Sequence, residues 1–409
     1  MNVQGPSEAL KTVFSTEHIL APVPLADFFR DFYEQKPCFI ARGDANYYHH
    51  LLTLEDVNDV MGSQTLRFPK VKIVNSALDE QPRPEAFTTN GTDIHPARFL
   101  KHFSEGCTLV FSSLHEHVKS LGLFCDHMSN YFSHGFQTNI YLTPPNAQGF
   151  NPHYDTHDVF ILQVAGSKKW RLFDTPIELP LKSQPFEIKR VAPGPVSMEF
   201  VLNSGDMLYI PRGLMHDAET TGELSMHITA GLLGYTWQDV LVEALIHHGA
   251  KDIEFRKNLP VGFARQDVSG TDSLKQHVSV LLQELVASMD VSSSLTRFTE
   301  KLQSDIRPNL PQQFNAILHL SEVGDETMVA IRPEVHFFLS DSEDKCRIHL
   351  FGSIIEFPAF MLPALNHVRQ HNAFRVSELP DCVDENGKIT FVKRLIKEGL
   401  AVTRTQIAS

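Results

Sequence analysis

Short apolar runs separated by turn residues fill positions 107–235 of this chain. Val159–Val164, Trp170–Phe173, Val196–Leu202 and Met207–Ile210 are each bounded by Gly, Pro or Asn. Many short strands with turn signals predict an all-β sandwich or barrel. Upstream, residues 1 to about 100 mix short helices and loops. There Phe28, Phe29, Phe32 and Tyr33 recur at helical spacing and predict a packing face. Downstream the period changes. Leu274, Val278, Leu281, Leu282, Leu285 and Met289 advance by steps of three and four, which predicts a helix, and Val240, Leu241, Ala244 and Leu245 begin another. Such helices either pack on the outside of the barrel or pair with a second subunit. The tail reads as strands at Val329–Ile331, His336–Leu339 and Arg347–Phe351, then helices at Pro358–His371 and Ile389–Glu398. A small helix-plus-hairpin module of the winged-helix kind fits that order.

Composition narrows the function classes. A chain of 409 residues is too long for one typical core and predicts two or three domains. A formal net charge of −13 argues against nucleic acid as the main partner and suits a basic protein or peptide substrate. Lys388, Lys393, Arg394 and Lys397 in the last predicted helix stand beside Asp384, Glu385 and Glu398, a poor balance for gripping DNA. No run of 18 apolar residues exists, so no membrane span is expected, and Met1–Thr12 lacks a secretory pattern. The five cysteines form no CxxC pair. Free thiols in a reducing cytosol are expected, with a nuclear or nucleolar site if the source is eukaryotic.

The candidate chemistry lies in Phe150-Asn151-Pro152-His153-Tyr154-Asp155 and in Ile210-Pro211-Arg212-Gly213-Leu214-Met215-His216. Residues two apart in extended chain point to one side, so His153 and Asp155 can reach the same metal. His216 follows a Pro-Arg-Gly turn, from which a strand can return to that metal across a barrel. Two imidazoles and a carboxylate fill one face of an octahedron and leave the other open, as in non-haem Fe(II) oxygenases. His-x-Asp with a distant His is weak evidence alone in a chain holding 21 histidines.

The surrounding sequence strengthens it. Asn139–Asp155, Val159–Gln163, Gly166–Phe173 and Gly205–His216 together closely resemble the JmjC-type ribosomal oxygenases. The resemblance implies Fe(II)- and 2-oxoglutarate-dependent protein hydroxylation, with O2 as second cosubstrate. It also implies a mixed α and β fold in three parts. Residues 1–235 would form a double-stranded β-helix (JmjC/cupin) barrel with an N-terminal helical elaboration, 236–305 a helical dimerisation region, and 306–409 a winged-helix-like domain. Residue by residue, His153, Asp155 and His216 match the family's iron ligands and Lys168 its lysine for the distal carboxylate of 2-oxoglutarate. Read locally, Lys168 would be a solvated lysine just past an Ala165-Gly166-Ser167 turn. Asn139 and Tyr141 match polar pocket residues.

Two positions depart from the family pattern. A serine that helps to hold 2-oxoglutarate is matched here by Gly231, with Thr229 as a possible substitute. His157 continues the alternation of His153 and Asp155 where the family usually has an apolar or aromatic residue; it is either a substrate contact or a core histidine. His227 reads as packing. The implied reaction is hydroxylation of a ribosomal protein, with histidine favoured over arginine as target. A 2-oxoglutarate oxygenase acting on another protein or peptide, a non-redox metal cupin and a catalytically silent dimeric scaffold are the competing readings.

Overall fold

The computed structural model describes residues 13–174, 177–187, 191–263, 272–305, 310–332, 335 and 337–403. The chain divides into two compact units, Met1–Gly234 and Tyr235–Ser409.

The first unit is built on an eight-stranded antiparallel sheet. Its strands are β1 (Cys38–Ile40), β2 (Val71–Val74), β3 (Thr108–Ser112), β4 (Gly135–Thr143), β5 (Asp158–Phe173), β6 (Val196–Asn203), β7 (Met207–Ile210) and β8 (His216–Leu233). They run in the order β1-β7-β5-β8-β4-β3-β2, with β6 added to β5. Phe136, Thr138, Ile140 and Leu142 of β4 are buried at alternate positions, the pattern of a strand with one core face. The helix Lys119–Phe132 buries Leu121, Phe124, Cys125 and Met128. The aromatic run near the N-terminus is a packing face: helix Leu25–Asp31 buries Phe28, whose ring meets Tyr209 edge-on at 5.0 Å. Truncating such a filled position costs about 3–5 kcal/mol.

One local reading needs correction. Ala165-Gly166-Ser167 does not turn the chain between two strands, because β5 runs unbroken through it with irregularities at Gln163/Ala165 and Gly166/Lys168. Gly166 has φ +63°, and a Cβ there would sit 1.6 Å from the Leu224 carbonyl oxygen. Glycine lets the strand bend sharply against β8 without leaving the sheet.

In the second unit, helices Trp237–Lys251, Asp272–Ser288 and Val291–Asp305 precede two small sheets. β10 (Phe338–Asp341), β11 (Lys345–Leu350) and β12 (Ser353–Pro358) form one; β13 (Ala373–Arg375), β9 (Met328–Ile331) and β14 (Ala401–Thr403) form the other. Helices Leu362–Gln370 and Glu385–Lys397 share their core, with Leu365, Val392, Leu395 and Ile396 buried. The strand expected from His336 starts at a position outside the described residues. Short β12, β13 and β14 went unread in the sequence. Lys388 is buried and bonds Asp381 at 2.6 Å, which removes it from the exposed basic surface of its helix. All five cysteines are free thiols, four of them buried. No helix among the described residues is long and apolar enough to cross a membrane.

Candidate metal centre

The backbone brings the three expected metal-binding side chains together before any metal is considered. His153 N–H donates to the His216 carbonyl at 3.0 Å and His216 N–H returns a bond at 2.8 Å, an isolated antiparallel bridge. Gly213 N–H donates to the Asp155 carbonyl at 2.9 Å. Gly213 holds φ +88°, and a Cβ there would fall 2.2 Å from the Ile177 carbonyl oxygen. Only glycine fits the turn that sends His216 back to the site.

Asp158 braces the same turn. Its carboxylate is fully buried and accepts bonds at 2.9 Å from both the backbone N–H and the guanidinium of Arg212, with Tyr209 O–H at 3.3 Å. Arg212 also reaches Glu34 at 2.5 Å. Arg212 stands inside a motif and Asp158 just outside one, but only the assembled turn reveals their bracing role.

One ligating atom from each of His153, Asp155 and His216 falls within 4.8 Å of the others, and His216 Nε2 lies 3.8 Å from Asp155 Oδ2. The described residues hold no second cluster of this kind. Each imidazole is oriented from behind: His153 Nδ1 faces the Asn151 carbonyl at 2.9 Å, and His216 Nδ1 faces the Leu214 carbonyl at 3.0 Å. A carbonyl only accepts, so each Nδ1 carries the proton and each Nε2 keeps its lone pair for a metal. Burial, with His153 adding to it, pulls His216 down to about 4, so it is neutral and able to ligate at neutral pH. The donor set fits a divalent first-row metal with open coordination positions.

Lys168 lies in the wall of the same cavity. It is 4% exposed, and its ammonium donates to Thr143 Oγ1 at 3.1 Å; no acidic partner meets it among the described residues. Burial alone pulls its pKa down to about 7. A buried cation without a counter-charge is costly, and an entering carboxylate would relieve that cost.

Tyr141 lines the cavity and stacks on His227 at 4.9 Å, and Thr229 lines it as well. Asn139 is not among the lining residues; its amide oxygen accepts from Ser113 N–H at 3.2 Å. Trp170, His227 and Asp217 also line the cavity and were given no site role from sequence. Trp170 Nε1 and His227 Nδ1 are buried without a hydrogen-bond partner, so both can still bond to a ligand. Asp217 is buried and held by Arg171 at 2.8 and 2.5 Å. The alternation of β5 and β8 was the available signal for these residues, but the irregularities in β5 shift which positions face inward. His157 lies against Gly231, where a Cβ would meet its Cδ2 and Nε2, each at 2.7 Å.

Comparison with known proteins agrees with this geometry. A family model described as "JmjC domain" matches residues 113–240. The bifunctional lysine-specific demethylase and histidyl-hydroxylase NO66 of Dictyostelium discoideum is 28% identical, over 93% of this chain and 81% of that protein. The NO66 protein of Drosophila erecta is 29% identical, over 71% of this chain and 47% of its own length. Ribosomal oxygenase 1 of Homo sapiens is 32% identical, over 63% of this chain and 41% of its own length. The chain thus spans most of the slime-mould relative but less than half of the fly and human ones. Among solved structures, Escherichia coli ycfD is similar in fold, with TM-score 0.58 and 15% identity over 93% of this chain and 98% of that one. The same Escherichia coli ribosomal oxygenase, solved in complex with cobalt and 2-oxoglutarate, aligns with TM-score 0.56.

Proposed function

Because the chain belongs to the JmjC-type ribosomal oxygenase family, we propose that it is an Fe(II)- and 2-oxoglutarate-dependent hydroxylase of a ribosomal protein, with histidine favoured over arginine as the target. One observation carries the reading: a buried, counter-charge-free Lys168 lines the cavity that holds the His153, Asp155 and His216 cluster. The cluster serves a metal, the lysine serves an anion, and a 2-oxo diacid that chelates the metal at one end answers both. A non-redox cupin has no use for Lys168 and leaves its burial cost unexplained.

Each residue then has a task. His153 and His216 bind the metal through Nε2 while Asn151 and Leu214 fix their rings, and Asp155 completes the facial set. Lys168 pairs with the distal carboxylate of 2-oxoglutarate, and Thr143 sets the direction of the ammonium. Tyr141 and Thr229 line the path between the two ends, and Trp170 and His227 close it against water. Asn139 acts through the backbone of Ser113. Fe(II) bound there, with 2-oxoglutarate and O2, supplies the oxidising power to hydroxylate an unactivated C–H bond, with succinate as co-product. No side chain is needed as a nucleophile.

In the second unit, helices Trp237–Lys251 and Asp272–Ser288 are assigned to a homodimer interface. Residues 306–409 are assigned to a winged-helix-like domain without a nucleic-acid role. A protein of net charge −13 is suited to draw in basic ribosomal proteins. The test is succinate formation from 2-oxoglutarate with Fe(II) and ascorbate, with and without ribosomal proteins, followed by mass spectrometry for a gain of one oxygen. No succinate under either condition would overturn the oxygenase reading. Succinate without any oxidised ribosomal protein would overturn the substrate.

A further inference from the structure

Lys168, Trp170, His216 and His227 line one cavity, and the sheet register and ring contacts fix the place of His227 among them. Along β4, Tyr141 and Thr143 share one face, while Ile140 and Leu142 are buried on the other. The Lys168 ammonium bonds Thr143 Oγ1 at 3.1 Å, so the lysine marks the Thr143 end of that face. His227 of β8 is paired with Tyr141, two residues from Thr143, and stacks on its ring with centroids 4.9 Å apart and planes within 9°. Trp170 meets the His227 ring edge to face at 5.6 Å, and its own ring lies 5.9 Å from that of His216. His227 thus has the lysine's end of the row on one side and, through Trp170, a metal-binding residue on the other. Its electrostatics agree with that place. Burial, then the charge of Lys168, then that of His216 all oppose a proton on the ring and hold its pKa well below the ordinary value.

Packing accounts for the stack on Tyr141 but not for the ring nitrogen. His227 is 3% exposed, and its Nδ1 is buried with no hydrogen-bond partner among the described residues. A phenyl ring would stack as well and leave no polar atom orphaned. Such an atom in a cavity wall marks a bond that a ligand can complete. The neighbouring ammonium shows what kind of ligand. A carboxylate oxygen only accepts, has room for several donors, and finds an N–H on an imidazole in either protonation state.

We propose that His227 is a cosubstrate-binding residue: beside Lys168, it donates an imidazole N–H to the distal carboxylate of 2-oxoglutarate. The inference rests on the oxygenase reading. It makes the selection of a diacid over a monoacid a joint property of Lys168 and His227, where packing alone would leave it to the lysine.

The test needs no turnover. Binding is followed by the absorption of the Co(II)-loaded protein, in wild type, His227→Phe, which keeps the stack and removes the N–H, and His227→Asn, which returns a donor on a smaller side chain. Two ligands are compared: 2-oxoglutarate, and 2-oxopentanoate, which chelates in the same way but ends in a methyl group. His227→Phe is expected to raise the Kd for 2-oxoglutarate about tenfold or more, the scale of a lost hydrogen bond to a charged group. The Kd for 2-oxopentanoate is expected to stay near the wild-type value, and His227→Asn to recover part of the loss for 2-oxoglutarate.

An unchanged Kd for 2-oxoglutarate in His227→Phe would make the residue a packing group and overturn the proposal. An equal loss for both ligands would overturn it too, because the imidazole would then act at the chelating end. If His227→Phe does not fold, wild type decides by nuclear magnetic resonance on the Zn(II)-loaded protein with isotope-labelled histidine. The ring N–H signal of His227, assigned by its loss in His227→Asn, is expected to move downfield and exchange slowly with 2-oxoglutarate but not with 2-oxopentanoate; a signal indifferent to both would overturn the proposal. Wild type that binds no 2-oxoglutarate would remove the oxygenase reading and this inference together, whereas wild type that binds it as tightly as His227→Phe removes the inference alone.

Discussion

In β4, Phe136, Ile140 and Leu142 alternate into a closed core, and no large apolar side chain of that strand is left in solvent. In helix Trp237–Lys251 only Val240 and Ala244 are buried, while Trp237, Leu241, Leu245 and Ile246 are 42–79% exposed. Helix Asp272–Ser288 shows the same imbalance, with Leu285 covered and Val278, Leu282 and Val286 exposed. Both regions are rich in apolar residues, but they use them differently. The barrel spends its apolar face on itself and keeps its uncompensated groups, Lys168 and the metal cluster, inside a cavity where a ligand can satisfy them. Among the described residues the helices leave apolar surface exposed, the surface that the proposed dimer would cover. On that proposal, a small-molecule site and an assembly site are two answers to one requirement, that an unmatched group be matched by a partner.

The strongest way to break the comparison is at the barrel's cluster. His153→Ala or Asp155→Ala is expected to abolish 2-oxoglutarate turnover and to lower the bound metal measured by elemental analysis, with the circular dichroism spectrum of wild type. Full activity in either variant would show that the cluster is not the metal site.

Next comes Lys168→Ala. Removing one partner of a desolvated ion pair costs roughly 2–5 kcal/mol, which at about 1.4 kcal/mol per decade is ~30- to 3,000-fold. The apparent KM for 2-oxoglutarate should rise on that scale, and an unchanged value would restore the reading of Lys168 as structural.

The helices are probed by charge. Leu282→Asp, on the exposed stripe, is expected to convert a dimer to single chains of 46.1 kDa in light scattering while leaving the melting temperature of the chain little changed. Leu285→Asp, at a covered position, should instead lower the melting temperature. A wild-type mass already near one chain would remove the dimer. If the dimer helps to shape the substrate groove, separation should reduce hydroxylation of a protein target more than it reduces uncoupled succinate formation.

The smallest expected effect is on pH dependence. In the folded chain Lys168 titrates near 7, against 10.5 for an ordinary lysine. The unfolded chain therefore binds more protons between those values, and stability from this group rises with pH across that window. Its burial cost is present in full below about pH 7 and relieved as pH approaches 10.5. A carboxylate needs the ammonium form, so affinity for 2-oxoglutarate should fall as pH rises above 7. Lys168→Met should flatten both trends; slopes identical to wild type would show that another group is responsible.

Much of the site was legible because its chemistry is local. Two-residue spacing in extended chain puts His153 and Asp155 on one side whatever surrounds them, and a Pro-Arg-Gly turn before His216 announces a sharp return. The switch from short bounded runs to steps of three and four separated the barrel from the helices for the same reason: period is a property of the chain itself. Long-range placement was not legible. Lys168 looks like a surface lysine until Thr143 and the rest of the cavity wall enclose it. The bend at Gly166 reads as a turn until β8 is seen to pair with β5 on both sides of it. Leu282 and Leu285 belong to one stripe, and only packing covers the second and leaves the first bare. The same holds for His157 and Gly231, each a solitary oddity in the sequence. Their shared volume arises only when β8 lies beside β5, because excluded volume acts between atoms in space and leaves no mark on spacing along the chain.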